Sequence, residues 1–172
     1  MQLFNCTRDH AGQILEILNE AIENSTALYD YRQRTMQNME QWFENKEKGS
    51  YPVIGLFNDE GTLMGFGSYG AFRAWPAYKY TVEHSLYVHK DFRGNGYGRI
   101  ILSEIIARAQ KQNYHTLIAG IDSTNQVSIA LHKALGFEYC GKIKHAGYKF
   151  SRWLDLEFYQ LILSTPLSPN EG

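Results

Sequence analysis

Three glycines in a short turn could bind a phosphate group. The segment from Arg93 to Gly98 has the sequence RGNGYG and lies between a β-rich run and an amphipathic run. The first turn of a helix leaves its backbone N–H groups unpaired, and with the helix dipole they form a site for anions. Glycine lets a bulky diphosphate approach because it has no Cβ, and Arg93 and Arg99 add positive charge. We therefore expect a pyrophosphate to bind the turn formed by Arg93, Gly94, Asn95, Gly96, Tyr97 and Gly98.

Phosphate-binding sequences differ in where their glycines stand. A P-loop requires GxxxxGK[ST], which is absent from this chain. A dinucleotide-binding GxGxxG motif that starts at Gly94 would need a third glycine where Arg99 stands, and no acidic residue ends a strand about 20 residues later. The spacing therefore excludes both motifs and leaves open a flexible glycine turn without a ligand.

The elements around the turn alternate between strand and helix patterns. Apolar residues at helical spacing predict a helix after Thr7 and Asp9 and another after the glycine turn. Further helices are predicted at residues 37–48 and 126–135, and strands at residues 2–5, 51–57, 62–70, 80–88, 115–121, 137–144 and 154–163. Hairpins and helical connections both occur in this order, β-α-α-β-β-β-α-β-α-β-β. An α/β domain with a mixed sheet flanked by helices is the expected architecture.

Length and composition limit the classes of function. The 172 residues fit one domain, for which we expect bounds of 1–163 followed by a flexible tail at 164–172. A net charge of -1 argues against a nucleic-acid partner, and no apolar run is long enough to span a membrane. The six histidines have no metal-ligand spacing, so no metal is expected. Cys6 and Cys140 are expected as reduced thiols in a cytoplasm, although a disulfide between them stays open.

Two segments resemble the GNAT acetyltransferase superfamily. Arg93, Gly96 and Gly98 form the pattern R-x-x-G-x-G, which resembles its signature for the coenzyme A pyrophosphate. Residues 125–137, NQVSIALHKALGF, resemble its second block, in which an asparagine precedes a helix and then L-G-F. The resemblance implies the GNAT fold, with a central mixed, largely antiparallel twisted sheet, and acetyl-CoA as the donor substrate.

Further segments resemble the phosphinothricin acetyltransferase branch of that superfamily. They are residues 81–88, TVEHSLYV, and residues 146–149, AGYK, together with Trp153 and Asp155. The similarity spans about residues 2–163. It implies N-acetylation of a small amine such as phosphinothricin, methionine sulfoximine or methionine sulfone, and it implies a homodimer.

The resemblance also implies which residues bind acetyl-CoA. The backbone of Leu86, Tyr87 and Val88 is expected to pair with the pantetheine arm like an added strand. Asn125 is expected to form a hydrogen bond with the cofactor near the pantetheine, with Ser128 close by.

Two residues are candidates for proton transfer. Glu83 lies on the strand before the glycine turn and could deprotonate the acceptor amine, although an ion pair with a nearby cation is the alternative. Many members of the superfamily have a tyrosine as general acid at the position of His132. His132 or a tyrosine could protonate the leaving thiolate, and simple packing beside the cofactor is the alternative for His132. A backbone N–H of Leu86 or Tyr87 could stabilise the oxyanion.

The acceptor side is predicted from residue types in two loops and a hairpin. An arginine fork suits a carboxylate or a phosphinate, and aromatic rings suit an apolar side chain. The candidates are Arg73 and Tyr78 for the polar contacts, and Tyr31, Trp75, Tyr148 and Trp153 for the walls. A catalytically silent acyl-CoA sensor and a protein-directed acetyltransferase remain as alternative functions.

Overall fold

The computed structural model describes residues 1–171 and contains one seven-stranded sheet with four α-helices. The elements are β1 (Gln2–Asn5), α1 (Ala11–Asn24), α2 (Met36–Lys48), β2 (Val53–Phe57), β3 (Leu63–Ala71), β4 (Thr81–Val88), α3 (Tyr97–Lys111), β5 (Thr116–Asp122), α4 (Gln126–Ala134), β6 (Glu138–Lys149) and β7 (Arg152–Ile162). The predicted α/β class and the predicted order of elements are confirmed.

The sheet separates between its two central strands. Its order is β1-β2-β3-β4-β5-β7-β6, and only the β4–β5 pair is parallel, so the predicted mixed and largely antiparallel sheet is confirmed. The β4–β5 register ends at the pair Glu83–Ile118. Beyond it, β4 remains paired with β3 as far as Val88, and β5 remains paired with β7 as far as Asp122. An opening therefore lies between the carboxyl ends of β4 and β5.

The hydrophobic core has one part on each face of the sheet. On one face α3 buries the apolar stripe that its spacing predicts, including Ile101 and Ile105, against Val82 and Leu117. On the other face α1 and α2 pack with β2 and β3. Because side chains alternate along a strand, β4 and β5 present successive residues to opposite faces.

The last hairpin is longer than predicted. The expected strands at 137–144 and 154–163 extend to Glu138–Lys149 and Arg152–Ile162. Phe150 and Ser151 form the turn with positive φ angles of 51° and 58°, the conformation that a two-residue type I′ hairpin requires. Two register shifts interrupt β6, and such bulges break the alternation from which a strand is predicted.

Residues near the C-terminus form hydrogen bonds with the rest of the domain, and the two cysteines are not bonded to each other. Thr165 donates a hydrogen bond to the Tyr114 carbonyl, and the Asn170 N–H donates one to the Tyr80 hydroxyl. The flexible tail stays a prediction, and its residue 172 lies outside the described residues. Cys6 is buried, Cys140 is exposed, and both are free thiols, which removes the disulfide alternative.

Candidate active site

Two cavities meet where β4 and β5 separate. The larger cavity, of about 840 Å³, runs past the glycine turn, and the smaller cavity, of about 440 Å³, lies against β4 and β5. The two share the lining residues Thr26, Ala27, Leu86, Tyr87, Asn125 and Ser128. A ligand that follows the larger cavity from the turn therefore reaches the smaller one at the opening in the sheet.

The glycine turn forms one end of the larger cavity. Gly94 and Gly96 have positive φ angles of 82° and 79°, and Gly96 is the N-cap of α3. A Cβ at either glycine would meet no protein atom within 4 Å, so the backbone conformation, rather than packing, requires glycine here. The open space beside these amides leaves room for a ligand at the start of α3. Arg93, Gly94, Gly96, Tyr97 and Gly98 line the cavity.

Two side chains of the turn are engaged within the protein, while the predicted pyrophosphate contacts of the turn stay a prediction. Arg93 is paired with Glu20 of α1, and its Nε donates to the Val88 carbonyl over 3.1 Å. Its charge is therefore partly neutralised, whereas Arg99 lines the cavity without an ion pair in residues 1–171. The Asn95 side chain does not line either cavity, because its amide donates to the carbonyls of Phe92 and Arg93. It holds the shape of the turn instead.

Glu83 faces the smaller cavity from β4. Its carboxylate has no hydrogen-bond or ion-pair partner in the described part of the chain, so the alternative of an ion pair is not supported. Burial raises the pKa of Glu83, and the more distant charge of Arg73 partly opposes the shift. A Cβ on Gly120 would stand 3.1 Å from Glu83 Oε1, so the glycine on β5 leaves room for this carboxylate.

His132 also lines the smaller cavity, but both of its ring nitrogens are engaged. Nδ1 lies 2.7 Å from the Ser128 carbonyl, which can only accept, so Nδ1 carries the proton. Nε2 lies 3.1 Å from His84 Nε2 and must then accept from it. Burial lowers the pKa of His132 and, together with the neighbouring His132, that of His84 to about 3. A neutral ring without a free N–H favours the packing role for His132 over the general acid.

The remaining predicted cofactor residues lie at the junction of the cavities. Asn125 is the N-cap of α4, and its side-chain oxygen accepts from the Ser128 N–H over 3.1 Å. Leu86, Tyr87 and Val88 line the larger cavity along the part of β4 that has no β5 partner. Their backbone therefore lies beside the opening where an extended ligand could pair with it.

The five predicted acceptor residues lie outside both cavities. Tyr31 is 75% exposed, and its hydroxyl donates to the Tyr148 carbonyl over 2.7 Å. The Arg73 guanidinium lies over the Phe72 ring at 4.1 Å, and Trp75 is 74% exposed. Tyr78 and Tyr148 are also exposed, and Tyr148 packs edge-on against the ring of Trp153. Residues 26–29 cover the smaller cavity in their place, so the predicted acceptor roles stay predictions.

Several residues of the smaller cavity were not predicted from the sequence. Leu28 and Tyr29 belong to the loop between α1 and α2, whereas Lys46 belongs to α2 itself. Asp122 ends β5 at the sheet opening, and a polar residue at that position is a signal that sequence reasoning could have used.

A buried lysine holds the loop that lines both cavities. Lys149, at the end of β6, is only 6% exposed. Its Nζ donates to the carbonyls of Ile22, Ser25 and Leu28 over 2.6, 3.0 and 2.7 Å. The Ile22 and Ser25 carbonyls at the end of α1, and the Leu28 carbonyl in the loop after it, are thereby satisfied. The position of the loop consequently depends on a residue more than a hundred positions away in the sequence.

Two features are absent from residues 1–171. No group of three or more histidine, cysteine, aspartate or glutamate side chains is arranged to hold a metal ion there. Within the same residues, no helix has the length and apolarity needed to cross a membrane.

Known proteins are similar to this chain in sequence and in fold. The family model described as the acetyltransferase (GNAT) family matches residues 13–137. The L-methionine sulfoximine/L-methionine sulfone acetyltransferase of Pseudomonas aeruginosa is 41% identical over 150 residues, which cover 87% of each chain. The L-amino acid N-acyltransferase MnaT of Escherichia coli is 39% identical over 157 residues, 91% of each chain.

A solved structure gives the same result in three dimensions. The GNAT superfamily phosphinothricin acetyltransferase from Sinorhizobium meliloti, in complex with acetyl-CoA, superposes with a TM-score of 0.94 at 34% sequence identity. The match covers 99% of this chain and 94% of that chain.

Proposed function

Because the chain belongs to the GNAT acetyltransferase family, we propose that its acceptor is the primary amine of a small amino-acid-like molecule. It is an N-acetyltransferase, and its donor substrate is acetyl-CoA. The related enzymes named for methionine sulfoximine, methionine sulfone and phosphinothricin support an acceptor of that kind. The acceptor would occupy the smaller cavity, and acetyl-CoA the larger one.

The residues of the larger cavity fit acetyl-CoA. The open space over Gly94 and Gly96 and the start of α3 suit the pyrophosphate, and Arg99 adds an unpaired charge at the same end. The unpaired edge of β4 from Leu86 to Val88 suits the pantetheine arm. This placement would bring the thioester to the junction of the cavities, close to Asn125 and Ser128.

Glu83 is the proposed general base. When bound, acetyl-CoA supplies an acetyl thioester whose carbonyl carbon forms the new C–N bond as the C–S bond breaks and its electron pair leaves on sulfur. Glu83 accepts one proton from the acceptor ammonium, directly or through water, which frees the nitrogen lone pair. A backbone N–H of Leu86 or Tyr87 stabilises the oxyanion. The second proton of the nitrogen neutralises the thiolate through solvent, because the engaged ring of His132 leaves no N–H for it.

One cation lines the smaller cavity in the described chain, and it suits the carboxylate of an amino acid. Lys46 lies beside Gly70, with Nζ donating to the Tyr69 carbonyl over 2.8 Å. Burial lowers the pKa of Lys46 to about 8, and a bound carboxylate would favour the charged form further. Arg73, which was predicted to bind the carboxylate, lies outside the cavity and remains the alternative.

The Glu83 carboxylate, which lies in a cavity at the sheet opening without a partner in residues 1–171, is the observation that carries the proposal. The test is a thiol-release assay with acetyl-CoA against methionine sulfoximine, methionine sulfone, phosphinothricin, common amino acids and a peptide with a free N-terminus. We expect turnover with one of the small amines and none with the peptide. Turnover with the peptide alone would favour the protein-directed alternative, and cofactor binding without any turnover would favour the silent sensor.

Gly96→Val should weaken coenzyme A binding. The variant forces a β-branched residue into a positive φ of 79° and places its side chain in the open space of the larger cavity. We expect a Kd for coenzyme A, measured by calorimetry, that is at least about 10-fold higher, because the valine side chain blocks the approach of the pyrophosphate to the backbone. Gly61→Val is the matched control, since Gly61 has a φ of 81° in the distant β2–β3 turn. Equal coenzyme A affinity in both variants would refute the pyrophosphate site.

We also propose a homodimer that forms through the β6–β7 hairpin. β6 is an edge strand of the sheet, and such edges are usually covered or protected by charge. This hairpin instead exposes about half of each of five large apolar side chains, Tyr139, Ile143, Tyr148, Phe150 and Trp153. Light scattering should give twice the chain mass of 19.8 kDa, and Trp153→Glu should lower it toward the monomer. A monomeric wild type would contradict the proposal.

We further propose that the enzyme acts in the cytoplasm. Acetyl-CoA is available there, and the free thiols of Cys6 and Cys140 stay reduced there.

A further inference from the structure

Three buried side-chain atoms without a hydrogen-bond partner in the described chain lie around the same cavity. They are the Tyr29 hydroxyl oxygen, His84 Nδ1 and Asp122 Oδ2, and all three residues line the smaller cavity. Most buried polar atoms in folded proteins are paired, and an unpaired one is costly. Their convergence on one cavity indicates a polar ligand there.

Asp122 divides its two oxygens between the fold and the cavity. The residue is 4% exposed at the end of β5. Its Oδ1 accepts from the backbone N–H of Thr124 over 2.8 Å and from the Thr124 hydroxyl, which fixes the turn before α4. Its Oδ2 has no such partner. One oxygen is therefore structural, and the other is free to accept from a ligand.

Asp122 shares a face of the sheet with the proposed base. Ala119 and Ile121 point into the core, so alternation along β5 places Gly120 and Asp122 on the opposite face. Gly120 lies directly against the Glu83 carboxylate. Two carboxylates from neighbouring strands consequently line one cavity.

Tyr29 faces the same space from the loop after α1. Its ring lies 2.8 Å from where a Cβ on Gly147 would stand, so the β6–β7 hairpin packs against it and limits its movement. Burial and then the negative charge of Asp122 raise the pKa of the phenol, which stays protonated at neutral pH. The two groups together offer one anionic acceptor and one neutral hydroxyl.

We propose that Asp122 Oδ2 and the Tyr29 hydroxyl bind the primary amine of the acceptor while Glu83 removes its proton. The inference rests on the proposed function and adds the contacts that orient the nitrogen. The ammonium has three N–H bonds: one proton goes to Glu83 and a second N–H is held by Asp122. Tyr29 can accept from the third, so these two contacts fix the direction in which removal of the first proton leaves the lone pair. Asp122 lines only the smaller cavity, so its effect should concern the acceptor and not coenzyme A.

Asp122→Asn tests the inference with a minimal change. Asparagine retains Oδ1, which the Thr124 N–H requires, and replaces only the free Oδ2 with an NH₂ group. Calorimetry with coenzyme A already bound, which prevents turnover, should give an acceptor Kd about 10- to 100-fold higher, as expected for loss of a charged hydrogen bond. The Kd for coenzyme A itself should not change. Asp59→Asn removes the same charge from an exposed turn and should bind the acceptor like the wild type.

Tyr29→Phe separates binding from stability. The hydroxyl has no partner in the described chain, so its removal should leave the melting temperature unchanged or higher. The acceptor Kd should nevertheless rise several-fold. Unchanged acceptor affinity in both Asp122→Asn and Tyr29→Phe would overturn the inference, as would losses that appear only together with a lower melting temperature. If the wild type binds no amine of the panel, the proposed function has failed as well.

Discussion

Glu83→Gln should lower kcat for amine acetylation by about 10²–10⁴-fold, the usual contribution of a general base. Glutamine fills the same space beside Gly120 and cannot accept a proton at neutral pH. No hydrogen bond or ion pair of Glu83 is lost, because none is present in residues 1–171, so the melting temperature should stay close to that of the wild type. Stopped-flow or steady-state thiol release measures the loss, and calorimetry should show unchanged coenzyme A binding.

The pH dependence of the wild type provides an independent check on Glu83. Burial raises the pKa of this carboxyl, so the base is protonated and inactive at low pH and becomes active as the pH rises through that raised pKa. The acidic limb of kcat/KM should therefore lie above the range of an ordinary glutamate and should be absent from the residual activity of Glu83→Gln. Glu60→Gln, in the exposed β2–β3 turn, should keep the limb. Full activity of Glu83→Gln would remove Glu83 as the base.

Local signals predicted the parts of the fold that depend on neighbouring residues. The apolar stripe of α3 and the helix pattern of α4 each lie within a single segment, and the predicted bounds of α4, residues 126–135, were correct to within one residue. The strands predicted for β6 and β7 were too short, because the turn between them has its positive φ angles at Phe150 and Ser151 rather than at glycine or asparagine. Bulges in β6 also interrupt the alternation of apolar and polar residues from which the full length of the strand could have been predicted.

The candidate site likewise has parts that lie within one segment and parts that depend on contacts between distant segments. The glycine turn could be located because its six residues are contiguous. Glu83 could be located because it lies on the strand immediately before them. Side chains from distant segments decided the rest. Glu20 reaches Arg93 from α1, His84 engages His132 across the sheet opening, and Tyr29 closes a cavity that the exposed aromatic residues were expected to line. No local pattern carries the information that these contacts form.

Lys149→Met should destabilise the protein and disturb both cavities. The change leaves two carbonyls at the end of α1 and the Leu28 carbonyl in the following loop without their donor, and each buried unpaired group is costly. We expect the free energy of unfolding, measured in urea, to fall by about 2–4 kcal/mol, which is less than the sum of three charged hydrogen bonds because the buried ammonium also loses hydration. Residues 25–27 line the larger cavity and residues 26–29 the smaller one. The KM values for acetyl-CoA and for the acceptor should therefore rise together.

Lys142→Met separates this anchoring role from the general loss of a lysine on β6. Lys142 is exposed on the same strand and forms one ion pair, with Glu157 at 3.0 Å, so its loss removes a single contact rather than three hydrogen bonds of a buried ammonium. This control should keep near-native stability and both KM values. If Lys149→Met unfolds more easily but keeps wild-type KM values in conditions where it is folded, the loop holds its place without the lysine. Lys149 would then contribute to stability alone, and the cavities would owe their shape to the packing of Tyr29 against Gly147.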